Sequence, residues 1–268
     1  MTIPIALTIA GSDSSGGAGL QADLKTFAAF GVYGASVVTA LTAQNTRGVS
    51  GIHHVPADFV TAQLDAVFGD LDVGAVKIGM VADAAVTDAI ADGLLRWSPA
   101  HVVLDPVMVA TSGACLLERD AVEALRSKLV PRAQLITPNL PEAAVLLDEA
   151  VAESESDISR QGHRLLALGC AAVLIKGGHG RGAESIDYLV THDGMLALAA
   201  PRIATKNTHG TGCSLSSAIA AGLAKGDDTE PAVRVAKTYI TEAIAAADRL
   251  GVGHGHGPIH HLHRLDHD

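Results

Sequence analysis

Three glycine-rich turns carry the residues whose types and spacing could do chemistry. The first, Gly11-Ser-Asp-Ser-Ser-Gly-Gly-Ala-Gly19, follows a short apolar run and precedes a helical pattern. Open α/β sheets place ligand-binding loops at such positions. It does not match a GxxxxGK[ST] phosphate loop, because Gly17 and Ala18 stand where the Lys and hydroxyl are needed. Gly17 to Ala22 fits GxGxx[GA], yet no Asp or Glu occurs between Asp23 and Asp58 to hold a dinucleotide ribose. Backbone amides here can still approach a ligand closely, and Asp13 or Asp23 can accept from an amino or hydroxyl group. A tight strand-to-helix turn with no ligand is the alternative.

The second turn, Lys176-Gly-Gly-His-Gly-Arg-Gly182, sets a cation at the end of an apolar run, where it can meet an anion or simply be a solvated strand end. The third, Thr208-His-Gly-Thr-Gly-Cys213-Ser214, opens the apolar helical stretch Leu215 to Leu223. Gly210, Thr211 and Gly212 are expected to aim free amides at a negative group above the helix N-terminus, where the helix dipole favours it. The same dipole is expected to lower the Cys213 thiol, making it a candidate to take a proton from a substrate hydroxyl. A small buried thiol is the plainer reading. Amides of this kind, a Lys and Mg²⁺ are together what phosphoryl transfer needs, since that reaction depends on positioning and charge stabilisation.

The elements that must position these turns follow from periodicity. Short, nearly continuous apolar runs at Ile5–Ala10, Gly74–Ile78, His101–Leu104, Gln134–Ile136 and Ala171–Ile175 read as strands buried on both faces, with Ser36–Leu41 as a further candidate. Amphipathic stretches at Leu20–Phe30, Ala57–Phe68, Ala82–Leu95, Asp120–Leu129 and Ser159–Leu168 read as helices. Their alternation implies right-handed crossovers and a mainly parallel central sheet with helices on both faces, a three-layer α/β sandwich. Ile186–Val190 and Met195–Ala199, joined by Thr-His-Asp-Gly, read as an antiparallel edge hairpin, and two helices follow. The polar stretch Glu149–Asp157 reads as a surface loop rather than a boundary, so residues 1–268 are expected to form a single domain.

Composition narrows the partners. The chain is 48% hydrophobic and 18% charged with a formal net charge of −10, so it can bury a large core but lacks the clustered Lys and Arg of a nucleic-acid footprint. A small-molecule partner, with no nucleic acid and no membrane, fits better. Cys115, Cys170 and Cys213 are widely spaced and odd in number, which suggests neither a disulfide framework nor a metal site and points to a cytoplasmic setting. No stretch reaches the roughly 18 apolar residues of a membrane span, and the N-terminus has no basic region before its apolar run.

In their order along the chain, IAGSDSSGGAGLQADLKT (9–26), VTALTAQNT (38–46), KIGM (77–80), LDPVM (104–108), TPNLPEA (137–143), LIKGGH (174–179) and NTHGTGC (207–213) resemble the hydroxymethylpyrimidine kinase branch of the ribokinase-like superfamily. The resemblance implies transfer of the γ-phosphoryl group of Mg-ATP to 4-amino-5-hydroxymethyl-2-methylpyrimidine and then to its monophosphate, in thiamine biosynthesis. It implies a ribokinase-like fold and a homodimer. By likeness, Gly11, Asp23, Gln44, Met80 and Val107 line the pyrimidine pocket. Gln44 both donates and accepts, which suits a ring nitrogen beside an exocyclic amine. Asn139 and Glu142 match an NxxE pair that holds Mg²⁺ through water, although a helix start with Pro141 and a first-turn acid accounts for the same spacing. Lys176, Thr208 and Lys237 are expected near the nucleotide, and Gly210 to Cys213 at the reacting groups.

Sugar kinases of the superfamily carry Asp where this chain has Cys213, so the Cys points to the pyrimidine branch. Pyridoxal kinases, some with Cys at this place, are the nearest rival reading. Thr111 stands where many relatives have Lys, which leaves any phosphate contact of that Lys without a counterpart. The tail from Gly253 holds six of the thirteen His residues, which invites a metal reading. Its GxGPxHHxH pattern (255–263) resembles the family's usual ending and is better explained by a closing segment packed near the site.

Overall fold

The computed structural model describes residues 2–81, 83–108, 119–178 and 182–265. Thr111 and Cys115 lie outside them. The described residues form one sheet of nine strands in the order β3-β2-β1-β4-β5-β6-β7-β8-β9. In chain order these are β1 (Ile5–Asp13), β2 (Tyr33–Asn45), β3 (Gly48–His54), β4 (Ala75–Ile78), β5 (Val102–Leu104), β6 (Leu135–Ile136), β7 (Ala172–Ile175), β8 (Glu184–Thr191) and β9 (Gly194–Pro201). Pairings from β2 through β1, β4, β5 and β6 to β7 are parallel, and those at both edges are antiparallel. The hairpin β8–β9 closes with Thr191 opposite Gly194, as expected from the Thr-His-Asp-Gly turn.

Each short central strand divides its side chains between two layers, which is why its apolar run is continuous. Leu7, Ile9, Val76, Ile78, Val102, Leu104, Val173 and Ile175 pack against one helical layer. That layer holds α2 (Ala57–Phe68), α3 (Ala84–Trp97), α4 (Arg119–Ala124), α5 (Leu140–Leu147) and α6 (Glu155–Leu166). Ala6, Ala75, Val103, Ala172 and Leu174 face the other, built from α1 (Gly19–Ala29), α7 (Thr211–Ala224) and α8 (Thr229–Ala245). On that second face small residues meet small residues. α7 is buried from Ser214 to Leu223, and a methyl on Gly74 would sit 3.3 Å from the Ala224 Cα. α7 therefore lies close against the sheet, which brings its N-terminus to the strand ends.

Three elements differ from their sequence-based expectation. β3 has no buried residue and its Gly and His residues give no apolar face, so periodicity misses it. The stretch expected as one helix to Leu129 ends as α4 at Ala124 and continues as a π-turn over Leu125–Leu129. The helix expected from Ser159 starts at Glu155, because Ser154 caps it by accepting from the Asp157 N–H.

Candidate active site

A cavity of about 660 Å³ lies where the carboxyl ends of β1, β4, β5, β6 and β7 meet the N-terminus of α7. In open α/β sheets this edge is where ligands bind. It is lined at its middle by Asp105, Asn139, Glu142, Lys176 and Gly210 to Cys213. One arm runs to Gly11, Gln44, Met80 and Val107, and the other to Thr208, Ala200–Ile203 and Lys237.

The middle is built around one cation. Lys176 ends β7, and its Nζ donates to Asp105 Oδ1 at 2.7 Å and stands 3.7 Å from Glu142 Oε2. Burial alone would lower this ammonium, but Asp105 and then Glu142 outweigh it and hold the group charged above its ordinary range. Thr137 fixes the same Asp105 oxygen with its hydroxyl at 3.0 Å. Glu142 is pushed up, first by burial and then by Asp105, against the pull of Lys176. Asn139 and Glu142 close a capping box: the Glu142 N–H donates to Asn139 Oδ1 at 2.8 Å and the Asn139 N–H to Glu142 Oε2 at 2.7 Å. The plainer reading of that pair is thus realised, and Asn139 Oδ1 keeps one lone pair for a water.

Gly212 and Cys213 carry the candidate donors of the expected anion hole. Their N–H groups have no backbone acceptor among the described residues. The expectation for Thr211 is corrected, because its N–H turns back to Thr208 O at 3.2 Å and its hydroxyl donates there too at 2.7 Å. Gly210 sits at φ +82°, and a methyl there would lie 1.9 Å from Gly17 O, so only Gly fits. Lys176 Nζ is 3.3 Å from where a methyl on Gly212 would project. Lys176 Nζ thus stands beside the start of α7, where the Gly212 and Cys213 amides lie.

The Cys213 thiol also departs from expectation. Burial pushes it up to about 11, Asp23 and Asp105 add to that, and the Lys77 ammonium and a hydrogen bond from the Gly19 N–H only partly offset them. Desolvation beside two carboxylates sets the direction of the shift.

Asp23 is placed differently from the likeness. It does not line the cavity: its carboxylate is wholly buried, bound by Lys77 Nζ at 2.8 and 3.0 Å, by Thr8 Oγ1 at 2.6 Å and by Ser217 Oγ at 2.7 Å. Asp13 borders the cavity but is likewise filled. Its oxygens accept from Ser15 Oγ and N–H, from Gly17 and Ala18 N–H, and from His209 Nε2 at 2.8 Å. Burial would raise it, yet these bonds, with that of His209 the strongest, bring it down to about 2. Both acids hold the protein's own donors rather than a ligand's.

The two arms differ in chemistry. In the first, Gln44 is held by the Thr42 hydroxyl, which lies 3.1 Å from its Oε1, and its Nε2 is 3.4 Å from His209 Nε2. Met80 crosses in front of Gly11, whose missing side chain leaves that room: a methyl there would lie 2.4 Å from Met80 Cε. This arm sets the apolar Met80 and Val107 beside the Gln44 amide. In the second, Lys237 is tied to Asp187 Oδ2 at 2.7 Å and Ser185 O at 3.0 Å, beside Ile240 and Ile244. Asp187 also accepts the Gly177 N–H, so this pair anchors the chain leaving Lys176.

Against this geometry, the family model for phosphomethylpyrimidine kinase matches residues 13–260. The chain belongs to that family. A hydroxymethylpyrimidine/phosphomethylpyrimidine kinase of Rhizobium meliloti is 58% identical over 260 residues, 97% of each chain. The crystal structure of a phosphomethylpyrimidine kinase from Clostridium difficile superposes with TM-score 0.80 at 45% identity, covering 91% of this chain and all of that one. An ADP complex of Bacillus subtilis pyridoxal kinase superposes with TM-score 0.91 at 35% identity over 99% of this chain and 100% of that one. The phosphomethylpyrimidine kinase family and the ribokinase-like fold are therefore as the motifs implied, and the fold is shared with pyridoxal kinases.

Asp105, Lys77, Asp187 and His209 are the residues that sequence reasoning did not single out. Asp105 and Lys77 stood in quoted motifs, LDPVM and KIGM, at apolar strand ends where a charge is out of place. Their partners, Lys176 and Asp23, lie 71 and 54 residues away, and no spacing rule connects them.

Proposed function

We propose that the chain transfers the γ-phosphoryl group of ATP to the hydroxymethyl oxygen of 4-amino-5-hydroxymethyl-2-methylpyrimidine, and then to the phosphate of the resulting monophosphate, in thiamine biosynthesis. The observation that carries this reading is Lys176 standing beside the start of α7, where the Gly212 and Cys213 amides have no backbone acceptor among the described residues, at the middle of a two-armed cavity. The pyrimidine lies in the arm of Gly11, Met80 and Val107, with Gln44 reading a ring nitrogen and the amine beside it. ATP lies in the other, its phosphates toward Lys176 and Thr208 and its base toward Ile240, Ile244 and Lys237. In-line transfer at the middle places developing negative charge on Lys176 and the two amides, which are aimed before the reaction begins.

Among the groups at the middle, the carboxylate oxygens of Glu142 and Asp105 are of the kind Mg²⁺ prefers, and burial and then Asp105 push Glu142 up against the pull of Lys176, so added positive charge would be welcome there. Glu142 and Asp105 would hold the ion through water, with Asn139 supporting Glu142. Bound there, it would neutralise phosphate charge. Cys213 is the group that can take the hydroxyl proton. Lys77 and the Gly19 N–H are the neighbours that favour its thiolate. The same turn can grip the monophosphate for the second step, because neither the amides nor Lys176 distinguishes the phosphate that arrives.

The reading extends to one catalytic domain over residues 1–268 and to a cytoplasmic enzyme. Among the described residues no helix is long and apolar enough to cross a membrane. A homodimer would use the β2–β3 edge, where Leu41 and Ile52 stand exposed on the strands that carry Gln44 and Val49 of the cavity wall. Light scattering on the purified protein reads that assembly directly.

The test of function is ADP release from Mg-ATP with the pyrimidine, its monophosphate and pyridoxal offered separately. Turnover on both pyrimidines well above pyridoxal is expected. Preference for pyridoxal would move the assignment to vitamin B6 salvage, the reading that Cys213 and the pyridoxal kinase likeness keep in view.

A further inference from the structure

The closing segment is the motif to which the proposed reaction gives no task. Residues 251–265 run back across the molecule and touch both arms of the cavity. Gly255 N–H donates to Thr46 Oγ1 at 3.1 Å and His256 N–H to Thr46 O at 2.9 Å, just past the strand that carries Gln44. Gly257 N–H donates to Asn207 Oδ1 at 2.9 Å, His209 N–H to Gly257 O at 3.1 Å, and Ile259 N–H to His209 O at 3.2 Å. Pro258 and His209 thus form a parallel bridge alongside the anion-binding turn. The far end is clamped to α8, where Tyr239 donates to His261 O at 2.8 Å and Arg264 binds Glu242 at 2.7 Å.

Within this strap His261 is buried, and its Nε2 lies 3.0 Å from Ser214 Oγ. The Ser214 hydroxyl is 2.8 Å from Gly210 O, which also accepts the Ser214 N–H at 2.9 Å. A carbonyl cannot donate, so the hydroxyl proton points to Gly210 and Ser214 Oγ must accept from His261. Nε2 of His261 therefore carries a proton. Burial first, then the nearby Lys25, His260 and His209, lowers the ring to about 3, so it stands neutral and in one tautomer. Gly210 is the cap residue before the first turn of α7; its carbonyl shares a peptide plane with the Thr211 N–H, so its direction sets how the chain enters the turn that carries the Gly212 and Cys213 amides.

We infer that His261 is a positioning residue for phosphoryl transfer: through Ser214 it fixes the Gly210 carbonyl and hence the direction of the Gly212 and Cys213 amides. This rests on reading that turn as the site of transfer. The relay joins a segment near the C-terminus to the catalytic turn without either residue touching a ligand.

The test is steady-state kinetics with thermal melting on six variants. Ser214→Ala and His261→Leu each lower kcat on the order of 10-fold to 10²-fold with KM for ATP and for the pyrimidine little changed, as a small misalignment of donors does. Their combination is no worse than the more impaired single variant, because both break one chain of contacts. His261→Gln sets an amide N–H where Nε2 stood and recovers most of the rate, whereas His261→Asn sets it where Nδ1 stood and does not. If His261→Leu does not fold, Ser214→Ala, which removes a single oxygen, carries the test. Wild-type kcat in Ser214→Ala, or equal rates in the Gln and Asn variants, would overturn the relay. Those results together with a disabled Lys176→Ala leave the site reading standing, while full turnover in Lys176→Ala removes that reading and the relay with it.

Discussion

Two buried Lys–Asp pairs sit within the same strand-end layer and do different work. Lys77–Asp23 is wholly enclosed, and Thr8 and Ser217 complete the bonding of its carboxylate. Lys176–Asp105 leaves 14% of the Lys side chain exposed to the cavity, with Glu142 at 3.7 Å and the anion turn beside it. The first pair has spent its hydrogen-bonding capacity on the fold; the second keeps a donor for a ligand. Burial and pairing alone therefore do not mark a functional site. Unused capacity facing a cavity does.

The comparison can be broken most violently at the enclosed pair. Lys77→Met leaves Asp23 charged and unpaired in the core and should cost about 3–5 kcal/mol of stability, read as a loss in urea midpoint. A melt close to wild type would mean that Asp23 finds water or another partner. Stability at high pH is linked to the same pair. Burial by itself would lower Lys77, but Asp23 most of all, with Cys213 and Asp105, raises it above its ordinary range. Its contribution is then full below the unfolded-state value near 10.5 and is lost only as pH climbs past the folded one.

A smaller effect, confined to the rate, is expected at the thiol. Cys213→Ala should lower turnover on the order of 10²-fold with ATP binding kept. With the thiol of the free protein near 11, the thiolate fraction grows with pH, so kcat/KM should climb steadily from pH 6 to 9 in wild type and lose that climb in Cys213→Ala. A flat wild-type profile would take Cys213 out of proton transfer. Gln44→Leu should raise KM for the pyrimidine roughly tenfold, the worth of a hydrogen bond or so, and leave KM for ATP alone. Least of all, Gly11→Ala should raise the same KM a few-fold by pushing Met80 into the slot, with Met80→Leu as the variant that relieves it.

Much of this was readable from the chain and the unread part has a common cause. The central strands announce themselves because both faces are buried, and α7 because its apolar run follows a glycine turn. β3 is silent because an exposed edge strand has no face to mark. At the site, motif residues such as Gln44, Lys176 and Cys213 do border the cavity. Asp23, taken with them by likeness, is turned away by Lys77, and the thiol shift is reversed by burial first and then by Asp23 and Asp105. Each departure is a contact between residues far apart in the chain. Local spacing reports which residues reach the strand ends; only the folded arrangement reports which of them are already engaged.

The most direct test is Lys176→Ala, assayed for turnover on the pyrimidine and its monophosphate alongside thermal melting. Because Lys176, Asp105 and Glu142 all border the cavity, water can reach the carboxylates that Lys176→Ala leaves, so a folded protein is expected with kcat down on the order of 10²-fold to 10³-fold on both acceptors. A folded variant that turns over at the wild-type rate would contradict the placement of phosphoryl transfer at this cavity.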